Sequence, residues 1–110
     1  MPLSEKARLE VYMPDLPRNA YRQLPEDLDR EFTHTFGGCT ILRGIDGSYL
    51  SNKGLLIHDR INLIYTDTPY TFRDNLAILS RYGEVLRLAV DRALEEEMVL
   101  VVMYGVYHVE

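Results

Sequence analysis

Apolar and polar positions alternate near the start of the chain, between Arg8 and Met13. Leu9 and Val11 share one side with Met13, and the residues between them are polar or amphipathic. A two-residue period is typical of a strand with one face buried. The pattern therefore predicts a first β-strand, which Pro14 ends because proline cannot donate to a sheet ladder.

A three- and four-residue period follows between Arg18 and Phe36, and it predicts an amphipathic helix. Its apolar stripe consists of Tyr21, Leu24, Leu28, Phe32 and Phe36. Pro25 lies inside this stripe, so we expect either a kinked helix or one that begins at Pro25. One of the two glycines at 37–38 is expected to end the helix in the left-handed conformation.

Two further strands are predicted, Cys39 to Arg43 and Leu55 to Tyr65, from their β-branched and apolar content. Glycine and other turn-forming residues recur between them, from Gly44 to Gly54. The segment predicts a long, partly open hairpin, in which residues 49–50 form a short extra pairing.

A second helix and a last strand complete the pattern. Thr68-Pro69 and Thr71 with Asp74 are both suitable helix starts. The helix stripe consists of Phe72, Leu76, Leu79, Gly83, Leu86, Val90 and Ala93. Glu95–Glu97 would end this helix in solvent, since acidic residues are unfavourable at the negative end of the helix dipole. Met98 to Val109 is apolar on both sides and predicts a strand that is covered on both sides.

The resulting order of elements predicts a single α+β domain spanning residues 1–110 with a ferredoxin-like βαββαβ fold. In that fold a four-stranded antiparallel sheet carries two helices on one face, with the first and third strands central. The side chains expected to face the helices are Leu9, Val11, Ile61, Leu63, Val99 and Val101. Those expected on the other face are Tyr12, Leu42, Ile64, Leu100, Val102 and Tyr104.

This second set predicts an interface, because contiguous exposed apolar surface usually marks one. A homodimer that pairs sheet to sheet is the favoured interpretation. A ligand pocket between the sheet and a partner, and a larger complex with another protein, stay open as alternatives.

Composition narrows the possible partners and the compartment. The net charge of −5 provides no positive field for nucleic acid or an anionic membrane. Cys39 is the only cysteine, so no disulfide can form within the chain and a reducing compartment is expected. The N-terminal residues lack the apolar core of a signal peptide, and no apolar run has the length of a membrane span. We therefore expect a soluble, cytoplasmic protein.

His58, Asp59 and Arg60 form the most chemically suggestive cluster, since they combine an imidazole, a carboxylate and a guanidinium. Neighbours in a strand point to opposite faces, so the three side chains converge only if the strand bulges. His58 and Asp59, together with Arg43, are the candidate catalytic residues. The favoured interpretation is a solvated strand start that pairs across the hairpin with Arg43 or Asp46.

Cofactor and metal sites are not predicted. His34, His58 and His108 lack the helical spacing of a metal site. Cys39 follows a helix instead of opening one, so it lacks the helix dipole that activates a thiol and is expected to be structural. The two glycines before it precede a strand, whereas a phosphate-binding loop opens a helix.

The stretch FGGCTILRGIDGSY, followed by INLIY, resembles small uncharacterised bacterial and phage-associated proteins with a Phe-Gly-Gly-x-Thr strand motif. The likeness covers about thirty residues. The turn aromatic of that pattern is usually Trp, where this chain has Tyr49, and Asp59 takes the place of its acidic residue. The resemblance implies an α+β fold and no particular activity.

The leading hypothesis is a small binding, regulatory or scaffolding module that self-associates through the uncovered sheet face, with a binding role favoured over an enzymatic one. One alternative is a small dimeric-barrel enzyme with a pocket near His58. Another is a phosphate- or nucleotide-sensing domain that uses Arg43, Lys53 and Arg60 on the turn region.

Overall fold

The strand and helix order predicted above is confirmed. The computed structural model describes residues 2–50, 52–94 and 99–109, with Tyr49 described by its backbone only. Its elements are β1 (Leu3–Pro14), α1 (Asn19–Phe36), β2 (Thr40–Leu50), β3 (Leu56–Asp67), α2 (Leu76–Leu94) and β4 (Leu100–Val109). The four strands form one antiparallel sheet in the order β2-β3-β1-β4, so β1 and β3 are central as expected.

Helix α1 begins at Asn19 and runs through Pro25 to Phe36, which decides between the two predicted starts. Pro25 is buried on the apolar stripe of the helix, beside Leu24 and Leu28. Packing of this stripe against the sheet compensates the backbone hydrogen bond that a proline removes. Gly37 ends the helix at a φ of 95°, and its N–H bonds the Thr33 carbonyl at 3.0 Å, as a left-handed C-cap requires.

The hairpin of β2 and β3 is longer than the sequence predicted. Gly44 lies inside β2, at a β-bulge between Leu42 and Ile45, with a φ of 67°. A glycine accepts this left-handed conformation without steric cost. The pairing then continues to Leu50, so the glycine-rich segment is mostly strand and the tight turn is confined to residues near Gly54.

Helix α2 begins later than both predicted starts, at Leu76. The Thr71 hydroxyl does hydrogen-bond the Asp74 carboxylate at 2.9 Å, but residues 72–75 form turns. The Thr68 hydroxyl is instead used by the sheet, since it donates to the Ala7 carbonyl at 2.9 Å. The predicted helix end at Glu95–Glu97 and the strand start at Met98 lie outside the described residues.

Both helices cover the same face of the sheet. The core joins Leu9 and Val11 of β1 and Ile64 of β3 to Phe32 of α1 and Val90 of α2. All five side chains are at most 1% exposed. Among the described helices, neither is apolar enough over a sufficient length to span a membrane.

Candidate functional site

The side of the sheet opposite the helices, called the uncovered face below, is the candidate functional site. Because successive side chains of a strand alternate, β1 presents Arg8, Glu10 and Tyr12 on this side. Cross-strand pairing places the following residues beside them: Leu42 on β2, Ile61, Leu63, Tyr65 and Asp67 on β3, and Leu100, Val102, Tyr104 and His108 on β4.

A carboxylate with two tyrosines lies near the middle of the uncovered face. Glu10 is only 5% exposed although no helix covers it. Tyr12 donates its hydroxyl to Oε1 at 2.7 Å, and Tyr104 donates to Oε2 at 2.6 Å. The hydrogen bond to Glu10, together with burial and the negative charge, raises the pKa of Tyr12 to about 12. The hydrogen bond from Tyr104 to Glu10 likewise raises the pKa of Tyr104, so both phenols keep their protons at neutral pH.

An ion-pair cluster adjoins it. Arg8 donates Nε to Asp67 Oδ1 at 2.6 Å and Nη2 to Oδ2 at 3.0 Å, a fork that matches the two carboxylate oxygens. His108 Nε2 lies 3.1 Å from the same Oδ2. The Arg8 guanidinium also stacks over the Tyr65 ring, 4.4 Å from its centre. The Arg8 hydrogen bonds hold the pKa of Asp67 below its usual value, so this carboxylate is charged at neutral pH.

Five of the six residues predicted for this face do lie on it: Tyr12, Leu42, Leu100, Val102 and Tyr104. The placement of Ile64 is wrong, because its side chain is 0% exposed and belongs to the helix-covered core. Ile61 and Leu63 were predicted to face the helices, and this is also wrong. Their side chains point to the side opposite that of Ile64, so they lie on the uncovered face.

Polar residues on the covered side of β3 explain this error. Asn62 is 3% exposed, and its Oδ1 accepts the Gly44 N–H at 3.0 Å. Thr66 is 2% exposed, and its hydroxyl donates to the Gly38 carbonyl at 2.7 Å. A buried polar side chain is tolerated when its hydrogen bonds are made. These two residues made the covered side of β3 look like the solvent side.

The candidate catalytic residues do not converge. His58 pairs across the hairpin with Ser48, at 2.9 Å between Nδ1 and Oγ, and both side chains are exposed. Asp59 points to the opposite side of the strand, opposite Gly47. Arg43 is exposed at the bulge, where the register shifts. Arg60 faces Asp46, with a 4.0 Å distance between Nε and Oδ1, in the cross-strand arrangement that the non-catalytic interpretation expects.

Other candidate chemistry is equally dispersed over the described parts of the chain. No group of three His, Cys, Asp or Glu side chains in residues 2–50, 52–94 and 99–109 could hold a metal ion. Cys39 is half-buried, and burial raises the pKa of its thiol to about 11, so it is mostly protonated at neutral pH. A groove of about 240 Å³ at the hairpin end of the uncovered face is lined by Tyr12, Ile61, Leu100 and Asp59, among others.

The polar cluster of the uncovered face was missed from the sequence. Arg8, Glu10 and Tyr12 follow the two-residue period of one strand face, which was a usable signal. Their partners Asp67 and Tyr104 lie 59 and 94 residues away from Arg8 and Glu10, so only the sheet register brings them together.

Comparison with known proteins identifies the fold and no family. No protein-family model matches the chain, and no curated protein matches it significantly. Among solved structures, the chain is similar to CPII from Thiomonas intermedia K12, a nitrogen regulatory PII-like protein bound to ADP, AMP and bicarbonate. The match has a TM-score of 0.55 and 15% sequence identity, and it covers 98% of this chain and 99% of that one. This likeness supports the ferredoxin-like fold assigned from the strand order.

Proposed function

We propose that the chain is a small regulatory module that self-associates by packing its uncovered face against that of a second copy. The observation that carries the proposal concerns two regions of this face. Its apolar rim is formed by Leu42 and Leu100, and the side chains of its polar centre already hydrogen-bond one another: Arg8, Glu10, Tyr12, Asp67 and Tyr104. Leu42 is 44% exposed and Leu100 is 56% exposed at the two edges of the face. Covering these side chains would contribute hydrophobic stabilisation, at about 25 cal/mol for each Å² of apolar surface buried.

The paired polar centre supports this interpretation, because burying a polar group is costly only when its hydrogen bonds are lost. The two tyrosine hydroxyls already donate to Glu10, and Arg8 already donates twice to Asp67. A second copy could therefore cover the face without leaving these donors unsatisfied.

The size of the face also fits. Four strands spaced about 4.8 Å apart span about 19 Å, and 10 to 12 residues at about 3.3 Å each span about 35 Å. The projected area is therefore about 650 Å² for each copy, near the roughly 800 Å² that each partner buries in a standard protein interface.

Sedimentation equilibrium between about 1 and 100 µM tests this proposal. We expect self-association of the wild type, and Leu42→Lys should weaken it at least about tenfold because a charge would enter an apolar interface. Leu88→Lys is the matched control, since Leu88 is 42% exposed but lies on α2, on the other side of the sheet. A wild type that stays monomeric throughout this range and binds no hydrophobic dye would overturn the proposal.

The compartment is part of the same proposal. Cys39 is the chain's only cysteine, so the fold needs no oxidising environment. We place the module in the cytoplasm on that basis, and we favour a binding role over catalysis because the candidate catalytic side chains lie apart.

A second candidate function is nucleotide or phosphate sensing, and the bound ADP and AMP in the structurally similar CPII protein favour it. On this chain the β2–β3 hairpin carries the basic residues that such a ligand would need. Arg43 is exposed, and the side chain of Arg60 is 70% exposed. A guanidinium presents a rigid fork of donors to a phosphate group.

Isothermal titration calorimetry with ADP and AMP tests this second candidate. Arg60→Ala should weaken binding, and binding of the wild type should weaken as salt rises, because phosphate contacts are largely electrostatic. Arg30→Ala is the matched control, since the Arg30 side chain is 69% exposed but lies on α1. Absence of a heat signal with either nucleotide, or equal weakening by both variants, would refute a hairpin site.

A further inference from the structure

Strand β4 lies at an edge of the sheet with one side unpaired. It pairs with β1 over its whole length, from Leu100 opposite Tyr12 to Val109 opposite Leu3. Within residues 2–50, 52–94 and 99–109, no other strand pairs with it. The backbone N–H and C=O groups of every second residue therefore point away from the sheet, where they can accept another strand.

The two edges of this sheet differ in how they resist such pairing. The β2 edge carries the charged residues Arg43 and Asp46, and the bulge at Gly44 interrupts its register. Charges and bulges are the usual devices that keep an exposed edge from joining another sheet. The β4 sequence, LVVMYGVYHV, contains no Asp, Glu, Lys, Arg or Pro, and its register with β1 is uninterrupted. Of the two edges formed by the described strands, the β4 edge is the one left open to strand addition.

We propose that β4 pairs antiparallel with β4 of a second copy, which joins the two four-stranded sheets into one of eight strands. In a homotypic contact, a formal charge close to the two-fold axis would lie near its own copy, and like charges opposite each other on paired strands repel. The β4 sequence has no Asp, Glu, Lys or Arg to cause this repulsion, and His108 lies near the end of the strand, where it faces Asp67. The contact is separate from the packing of uncovered faces proposed above, and either can exist without the other.

Symmetry restricts the register of this pairing. A two-fold axis perpendicular to the sheet leaves the uncovered faces of both copies on the same side. Directly opposite residues must then share a face, so one residue of β4 pairs with its own copy on the axis. The strand has 10 residues, so the greatest overlap that keeps one residue on the axis places Tyr104 or Gly105 there and leaves one end residue unpaired. With Tyr104 on the axis, Val102 faces Val106 of the other copy, which is a favourable β-branched pair.

Proline substitutions at adjacent positions test the pairing, because neighbouring residues of a strand direct their N–H groups to opposite sides. Of Val106→Pro and Tyr107→Pro, one removes a bond to β1 and the other removes only a donor at the free edge. Circular dichroism identifies the variant that folds. We expect that variant to lose one association step in sedimentation equilibrium, with a dissociation constant at least about tenfold higher.

The face variant Leu42→Lys separates this contact from the proposed face packing. If both contacts form, Leu42→Lys leaves an edge-paired dimer and the folded proline variant leaves a face-paired dimer. Loss of association in Leu42→Lys with full association in the folded proline variant would overturn edge pairing and leave the face proposal standing. Loss only in the proline variant would support edge pairing and overturn face packing.

Hydrogen exchange of the wild type gives an independent test that needs no substitution. At high protein concentration, amides of consecutive β4 residues should all be protected, because both sides of the strand are paired. On dilution below the dissociation constant, every second amide should exchange fast while the others stay bonded to β1. Fast exchange of alternate amides at all concentrations would overturn the proposal, even if both proline variants fail to fold.

Discussion

Replacing Asp67 with Asn should destabilise the fold, because Asp67 is the centre of the ion-pair cluster on the uncovered face. The substitution keeps the shape of the side chain and removes its charge. Arg8 then loses its matched carboxylate, to which it donates at 2.6 and 3.0 Å, because asparagine offers one neutral acceptor oxygen in place of two charged ones. His108, whose Nε2 lies 3.1 Å from Oδ2, loses the negative charge beside it.

The expected cost follows from how far the pair is removed from water. The side chains of Arg8 and Asp67 are 25% and 19% exposed, so solvent screens them less than a surface pair. A fully exposed ion pair contributes about 0 to 1 kcal/mol. A hydrogen bond that involves a charged group contributes about 1.5 to 3 kcal/mol. We expect Asp67→Asn to lower the free energy of unfolding by about 2 kcal/mol at pH 7, between these two limits.

The same contacts set a pH dependence. Arg8 lowers the pKa of Asp67 in the folded protein, so the folded state favours the ionised carboxylate more than the unfolded state does. The stabilisation by the ionised Asp67 carboxylate is therefore complete above the pKa of this group in the unfolded chain, which is about 3.9. It is lost as the pH falls through the lower pKa that the group has in the folded protein. Asparagine does not titrate at this position. The stability difference between wild type and variant should narrow as the pH falls below about 4.

Urea unfolding followed by circular dichroism measures this difference at each pH, with all samples at one protein concentration because self-association would add to stability. Asp46→Asn is the matched control. Its partner Arg60 lies 4.0 Å away, and the two side chains are 95% and 70% exposed, so the expected change is below about 0.5 kcal/mol. Equal stabilities of Asp67→Asn and the control at pH 7, or a difference that persists unchanged at acid pH, would refute the reasoning.

Three further predictions concern single side chains. Glu10→Gln should lower the pKa of Tyr12 from about 12 toward 10.0, because it removes the charged hydrogen-bond acceptor. Ultraviolet titration measures this pKa, with Tyr12→Phe as the reference. An unchanged pKa in Glu10→Gln would contradict the prediction. A Cβ at Gly83 would lie 2.6 Å from the terminal methyl group of Met103, a flexible side chain that can move aside. In urea unfolding, Gly83→Ala should therefore change the free energy of unfolding by less than about 1 kcal/mol, whereas Gly83→Leu should lower it by about 1 to 3 kcal/mol. Equal unfolding midpoints for the two variants would contradict the close contact. Because the thiol pKa of Cys39 is about 11, iodoacetamide at pH 7 should modify it roughly tenfold or more slowly than free cysteine, and mass spectrometry showing an equal rate would exclude this.

Local periodicity predicted the elements whose burial is one-sided and uninterrupted. The stripe from Tyr21 to Phe36 predicted α1 and its end at Phe36, although Pro25 left two starts open, because the residues that pack on the sheet are also those that recur at helical spacing. The glycines of the hairpin were harder to interpret. Gly44 and Gly54 both adopt positive φ, but one lies in a bulge within β2 and the other in a turn. Only the pairing of β2 with β3 distinguishes these two uses of glycine.

Which side of β3 faces the helices could not be predicted from the local pattern, for a different reason. When a strand has apolar residues on both sides, only its polar residues can indicate which side faces solvent. In β3, polar residues lie on both sides as well, so they do not indicate it. Asn62 and Thr66 are buried under the helices because backbone groups of Gly44 and Gly38 satisfy them. Those partners come from another segment, so composition alone assigns such residues to the solvent side.

Polar groups on the two sides of the sheet are satisfied in different ways, and the difference bears on the proposed association. On the covered side, Asn62 and Thr66 bond to backbone groups, whose positions the fold determines. On the uncovered face, Glu10 and Asp67 bond to side chains, which can rearrange when a partner approaches. Such a network costs little to cover while its bonds persist, and it penalises any partner whose shape would break them. We infer that the apolar rim provides most of the affinity for a second copy, and that the polar centre restricts which surfaces can bind.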